Sequence, residues 1–60
     1  MKALVYLQGG AMLEVNMTET AMKEILEGRD AVVSSGDGQR RIWLAANKVA
    51  AIVTGRQDDV

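Results

Sequence analysis

The sequence contains no cysteine and no histidine, and these two absences exclude several kinds of site. Without cysteine, the chain has no disulfide, no thiol nucleophile and no thiolate ligand for a structural metal. Without histidine, it lacks the side chain that most often acts as a general base near neutral pH and that most often binds transition metals. We therefore expect a protein that is not an enzyme and that has no cofactor and no metal.

An excess of charge of one sign is also lacking, since the formal net charge is −1. Such a chain has no strong overall field to attract nucleic acid or an anionic membrane surface. Its apolar runs are much shorter than the roughly 20 residues that span a bilayer, and its first apolar segment is too short for a signal peptide. We therefore expect a cytoplasmic protein without membrane contact.

With 60 residues, the chain has room for one domain and for only a small core. A domain of this size buries only about 60% of the surface that its unfolded chain exposes. Small domains are usually stabilised by disulfides, metals or oligomerisation. Because cysteine and histidine are absent, we expect oligomerisation. We predict one domain over residues 1–55, a polar tail over residues 56–60, and assembly into a homo-oligomer.

The predicted strands carry apolar side chains on both faces. Along residues 2–7, Leu4 and Tyr6 point to one face and the other apolar side chains point to the opposite face. Along residues 40–45, apolar side chains again point to both faces, with Trp43 opposite the face that we assign to a helix. A sheet with one wet face would instead alternate apolar with polar residues. We therefore expect a helix on one face and a second copy of the chain on the other.

Residues 17–28 show the clearest local signature, that of a short amphipathic helix. Thr18 is a good N-cap, and Gly28 is suited to the position just after the last helical turn. Met17 and Met22 have the spacing of a hydrophobic staple across the N-terminus. The predicted apolar stripe of this helix comprises Ala21, Met22, Ile25 and Leu26.

Two turns divide the remaining chain into strands. Gly9-Gly10 suits a two-residue hairpin turn in which both residues have positive φ, and Asp37-Gly38 suits a turn between the third and fourth strands. The predicted strands beyond the first cover residues 11–16, 30–34, 40–45 and 49–54. The fold class is therefore α+β, a small ββαβββ domain whose antiparallel or mixed sheet has one helix on one face.

Residues 42–53 allow two interpretations. Their spacing also produces a helical stripe, and four alanines favour a helix, whereas the β-branched residues favour two strands. We favour two strands joined by a corner at Ala46-Asn47-Lys48. The stripe that supports the helical alternative comprises Ile42, Ala45, Ala46, Val49, Ile52 and Val53.

The candidate interaction residues come from a basic stretch in the second half of the chain. Arg41 and Trp43 are two residues apart on one strand, so their side chains share a face. This pair is suited to stacking on a base or holding a phosphate. It is also typical of protein interfaces, where tryptophan and arginine are enriched, and we favour a subunit interface. The predicted interface or ligand-binding residues are Arg40, Arg41, Trp43, Lys48 and Tyr6.

The final strands follow the pattern Ile-x-Leu-x-x-x-x-Val-x-x-Ile, formed by Ile42, Leu44, Val49 and Ile52. Together with the Gly-Gly hairpin and the short capped helix, this pattern resembles that of small proteins from phages and Gram-positive prophages. The resemblance implies an accessory or regulatory protein and assigns no functional residue.

Two functions therefore compete. The first is a small homo-oligomeric regulator or inhibitor that acts by binding another protein. The alternative is a small oligomer that binds nucleic acid or a nucleotide through the arginine and tryptophan face. A strong dependence of binding on salt would favour the second, because phosphate contacts release counterions.

Overall fold

The structure, a computed structural model, describes residues 1–55, and the predicted polar tail lies outside these residues. The order of elements is ββαβββ, which confirms the predicted small α+β domain. A short 3-10 turn forms the corner before the last strand. The elements are β1 (Lys2–Leu7), β2 (Met12–Asn16), α1 (Glu19–Leu26), β3 (Ala31–Ser35), β4 (Arg41–Leu44), the 3-10 turn (Ala46–Lys48) and β5 (Val49–Thr54).

The five strands form one sheet in the order β4-β3-β2-β1-β5. Every neighbouring pair is antiparallel, so the antiparallel form of the predicted sheet is the one observed. Val5 of the central part of β1 lies opposite Leu13 of β2 and Ile52 of β5. The first and last elements of the chain therefore pair side by side, and β4 and β5 form the two edges.

The link between Leu44 and Val49 requires the sheet to be strongly coiled. In a flat sheet, β4 and β5 would be about 19 Å apart, since four strand spacings separate them. The chain between these residues spans about 17 Å when fully extended, and most of it is wound into the 3-10 turn. The sheet therefore coils until the end of β4 approaches the start of β5.

The inner face of the coiled sheet and one side of α1 enclose the hydrophobic core. Val5 and Val15 are fully buried on the central strands, and Met17 is buried where β2 leads into the helix. The backbone of Met17 also exchanges two hydrogen bonds with Met1, at 2.6 and 2.8 Å. The buried core residues are Ala3, Val5, Val15, Met17, Ala21, Ile25, Val33 and Leu44.

The ends of α1 are capped as the sequence predicts. The Thr18 hydroxyl oxygen accepts a hydrogen bond from the Ala21 backbone N–H at 3.0 Å. At the other end, the Gly28 N–H donates to the Ile25 carbonyl at 3.0 Å, and the next residue's N–H donates to the Glu24 carbonyl at 2.7 Å. This pair of hydrogen bonds is a Schellman motif. Gly28 adopts the left-handed conformation that the motif requires, with a φ of +89°.

The predicted apolar stripe of α1 is wrong at one position. Leu26 is 73% exposed, whereas Ile25 next to it is buried. Successive side chains on a helix are about 100° apart, and the sheet covers only the side that Ala21 and Ile25 share. Met22 lies half-buried at the margin of this side. Leu26 therefore points into solvent.

Residues 42–53 form two strands and a corner, so the helical alternative is wrong. Ile42 lies opposite Val33, and Ile52 lies opposite Val5, so the β-branched residues of both strands join the sheet. The corner is held by the Ala46 backbone N–H, which donates to the Asp30 carboxylate at 3.0 Å. The fourth strand, predicted over 40–45, is shorter, and the second and third begin one residue later than predicted, with the third also ending one later.

Candidate interaction surface

The outer face of the sheet, which points away from α1, carries two separate clusters of exposed side chains. We call the first the Trp43 patch, formed at the β3–β4 end by Val32, Arg41 and Trp43, with Arg40 beside them at the start of β4 as a wall of the same groove. We call the second the Tyr6 patch, formed across β2, β1 and β5 by Leu4, Tyr6, Met12 and Val53. The register of the strands places the first cluster on β3 and β4 and the second on β2, β1 and β5.

The Trp43 patch is centred on the most exposed large apolar side chain of the described chain. Trp43 is 76% exposed and lies directly opposite Val32 on the neighbouring strand, which is itself 39% exposed. Arg41 lies on the same face as Trp43, opposite Ser34. A groove of about 450 Å³ runs beside these residues, and Val32, Ser34, Arg40 and Arg41 are among its walls.

An ordered turn positions Arg40 and Arg41. The Ser35 hydroxyl donates to the Asp37 carboxylate at 2.6 Å, and the Gln39 N–H donates to the same oxygen at 2.9 Å. These two hydrogen bonds, that from Ser35 first, lower the pKa of Asp37 below its ordinary value of 3.8. The Arg40 N–H donates to the Ser35 hydroxyl at 3.1 Å. Ser35 and Asp37 therefore shape the turn that leads into β4.

Arg40 and Arg41 form no ion pair with any other residue of the described chain. Within residues 1–55, ion pairs are formed only by Arg29, which contacts Glu24 at 2.6 Å and also contacts Glu27. Both glutamates belong to α1 and its C-terminal end, on the other side of the sheet from the outer face. The β3–β4 corner therefore holds two arginines and the Asp37 carboxylate, and no ion pair within residues 1–55 involves Arg40 or Arg41.

The Tyr6 patch lies on the other half of the outer face and is apolar, and the exposed Glu14 borders it opposite Leu4. Tyr6 lies opposite Met12 on one side and Ala51 on the other, and Leu4 lies opposite Val53. Tyr6, Met12 and Val53 are exposed, and Leu4 is half-buried. A continuous strip of apolar side chains therefore runs from β2 to the edge strand β5.

A row of polar side chains separates the two patches. Lys2 lies opposite Asn16, and Asn16 lies opposite Ser34 on the next strand. The Asn16 amide donates to the Ser35 carbonyl at 3.0 Å, and the Lys2 ammonium donates to the Gly36 carbonyl at 2.7 Å. These hydrogen bonds hold both polar groups against the sheet.

The structure brings together three of the five predicted interaction residues. Arg40, Arg41 and Trp43 form one cluster, whereas Tyr6 lies on β1, three strands from β4. Lys48 belongs to the same end of the molecule as Tyr6, because its carbonyl accepts from the Gln8 N–H at 2.8 Å. The sequence analysis did not include Val32, Met12 and Val53 among the interaction residues. Strand alternation could have placed them on the outer face.

Two further observations concern membranes and metals. No helix within the described part of the chain is long and apolar enough to cross a membrane. Among residues 1–55, no three acidic, cysteine or histidine side chains lie close enough together to hold a metal ion.

In comparisons with protein-family models, curated proteins and solved structures, nothing matches this chain. The likeness to small phage and prophage proteins stays a prediction. The functional argument therefore depends on the geometry of the outer face.

Proposed function

We propose that the protein is a small homo-oligomeric binding protein, without enzymatic activity, that regulates another protein by occupying its surface through the Trp43 patch. The observation that carries this proposal is the 76% exposure of Trp43 on a paired strand beside Val32 and Arg41. A rigid, exposed tryptophan next to arginine and an apolar neighbour is the composition of an interface hot spot. A cytoplasmic location is part of the same proposal.

The charges of the Trp43 patch favour a different protein, rather than a second copy, as its occupant. In a two-fold contact, the same patch of both copies would meet, so one interface would gather Arg40 and Arg41 of both copies. Like charges brought together at an interface cost several kcal/mol. An occupant with exposed carboxylates would instead pair with them. The sequence analysis favours a subunit contact at Trp43, and we now assign self-association to the other end of the sheet.

A second candidate function, binding of nucleic acid or a nucleotide, is favoured by the adjacency of Arg41 and Trp43. Stacking on the indole and a phosphate contact from the guanidinium would both be available. Two facts make a protein partner the better choice. Lys48 follows the end of β4 that is remote from Arg40 and Arg41 and contacts the turn after β1, and the net charge of the chain is −1. One copy of the chain therefore offers only a short basic surface to a strand of nucleic acid.

Affinity capture from an extract of the organism that encodes the chain tests the proposal. The immobilised wild-type protein is incubated with one extract treated with nuclease and one left untreated, and each is washed at rising salt. We expect the same protein to be captured from both extracts, with a gradual loss as salt screens the arginine contacts.

Two results would contradict a protein partner. Capture that disappears after nuclease treatment, together with a steep linear fall of log affinity with log salt, would favour the nucleic-acid alternative. Capture of no protein from either extract would remove the observation that the proposal requires.

A further inference from the structure

Within residues 1–55, the side of β5 that faces away from β1 carries backbone groups without a strand partner. The Leu7 N–H donates to the Ala11 carbonyl, so the N–H and C=O groups of Leu7 point toward the β2 side. This direction alternates from residue to residue along a strand, so the N–H and C=O groups of Leu4 and Tyr6 point toward β5. Their partners there are Val53 and Ala51. The N–H and C=O groups of Ile52 and Thr54 therefore point away from β1, toward the open edge.

This edge lacks the features by which proteins usually prevent strand addition. Exposed edges are commonly protected by lysine or other charges, by proline, or by a very short strand. β5 has six residues, VAAIVT, with neither charge nor proline, and its bulge lies near its start, beside Leu7. β4, the other edge, is shorter and begins with Arg41. In the sheet order of the described chain, β5 has β1 as its one strand neighbour, so its other side is not paired.

We infer that a second copy of the chain adds to this edge, with β5 of one copy antiparallel to β5 of the other about a two-fold axis. The two five-stranded sheets then form one continuous sheet. Main-chain hydrogen bonds from Ile52 and Thr54 supply the contact, as in other cases of strand addition. An uncharged strand can pair with its own copy without placing like charges opposite each other, whereas β4 would bring arginines together.

The same arrangement joins the two Tyr6 patches across the axis. Val53 is the member of this patch on β5, and Leu4 and Tyr6 follow on the next strand. Two copies paired at β5 would therefore form one apolar strip, while both Trp43 patches stay on β3 and β4, which take no part in the pairing. The pairing specifies the assembly within the proposed function. Partner binding at Trp43 does not require it, so the two claims can fail separately.

A charge exchange tests the pairing in the two registers that use Ile52 in both directions. When Ile52 of one copy pairs with Ile52 of the other, position 51 lies opposite position 53, and when Ile52 pairs with Thr54, position 53 lies opposite position 53 of the partner. We expect the double variants A51K/V53K and A51E/V53E each to be monomeric at concentrations where the wild type is dimeric. Mixed in equal amounts, they should form a dimer of one chain of each kind. Sedimentation and native mass spectrometry measure both results.

Val32→Lys is the matched control, because it introduces the same charge on the outer face at a comparable exposure but away from β5. It should leave the dimer intact. Circular dichroism of all variants checks that they fold. A variant that fails to fold is replaced by the single substitution Val53→Lys, whose partner is Val53→Glu.

A second pair of variants tests the backbone contact itself. Thr54→Pro removes an N–H that faces the open edge, whereas Thr54→Ala keeps it. We expect the proline variant to dimerise at least tenfold more weakly than the alanine variant, because two symmetry-related hydrogen bonds are lost. A wild-type chain that stays monomeric, a dimer that survives like charges at positions 51 and 53, or equal dimerisation of the two Thr54 variants would each overturn the inference.

Discussion

Ile25→Asp should unfold the protein. Ile25 is 6% exposed and packs inside the core that α1 and the inner sheet face enclose. Placing an unpaired carboxylate there costs several kcal/mol. At about 0.05–0.15 kcal/mol per residue, a chain of this length has a total stability of roughly 3–9 kcal/mol. We therefore expect the helical circular dichroism signal and the cooperative thermal transition to be lost at neutral pH.

The same substitution at the next position is the matched control. Leu26 is 73% exposed, so Leu26→Asp should fold and should melt close to the wild type. A carboxylate in the last turn of a helix opposes the helix dipole, so a loss of up to about 1 kcal/mol is expected. If both variants unfold, or if both remain folded, the orientation of α1 on the sheet is not the one described.

Trp43→Ala should abolish most of the binding to the protein partner while leaving the fold unchanged. The indole makes little contact within the described chain, because 76% of the residue is exposed. Removing a central interface tryptophan typically costs about 2–4 kcal/mol, which is roughly a 30-fold to 1,000-fold loss of affinity. Melting temperature and circular dichroism should stay close to those of the wild type. Titration calorimetry with the captured partner measures the affinity.

Leu26→Ala serves as the control for this prediction. It truncates an equally exposed large side chain on the helix side of the molecule, so it should bind the partner like the wild type. Equal affinity of the Trp43 variant and the wild type would show that the partner binds elsewhere. Equal losses in both variants would show that the measurement responds to exposed apolar area and not to this patch.

Most of the local structure of the domain could be predicted from sequence because its signals act between near neighbours. Thr18 and Gly28 cap the helix through bonds within one turn, and β1 and β5 have the predicted bounds. The prediction that Leu26 belongs to the buried stripe was wrong for a different reason. Helical spacing shows which residues share a stripe, but only the width of the covering sheet determines where burial ends.

The arrangement of the outer face depends on contacts between distant parts of the chain. Tyr6 and Trp43 could be assigned to exposed sheet faces by alternation, and both lie on the outer face. Their separation follows from the pairing of β1 with β5 at one side of the sheet and of β3 with β4 at the other. No local pattern in the sequence records this order, so the predicted residues could not be divided into two patches beforehand.

The accessibility of Trp43 in the assembled protein is the property on which the proposed function depends most directly. Trp43 is the only tryptophan, so its fluorescence reports one site. Its emission and its quenching by acrylamide are measured from dilute to concentrated protein, beside light scattering that gives the mass. We expect the mass to rise above the monomer value of 6.5 kDa while the emission stays that of an indole in water and the quenching stays efficient. A shift to shorter wavelength with loss of quenching as the mass rises would place Trp43 in the subunit contact and contradict its role as the free binding surface.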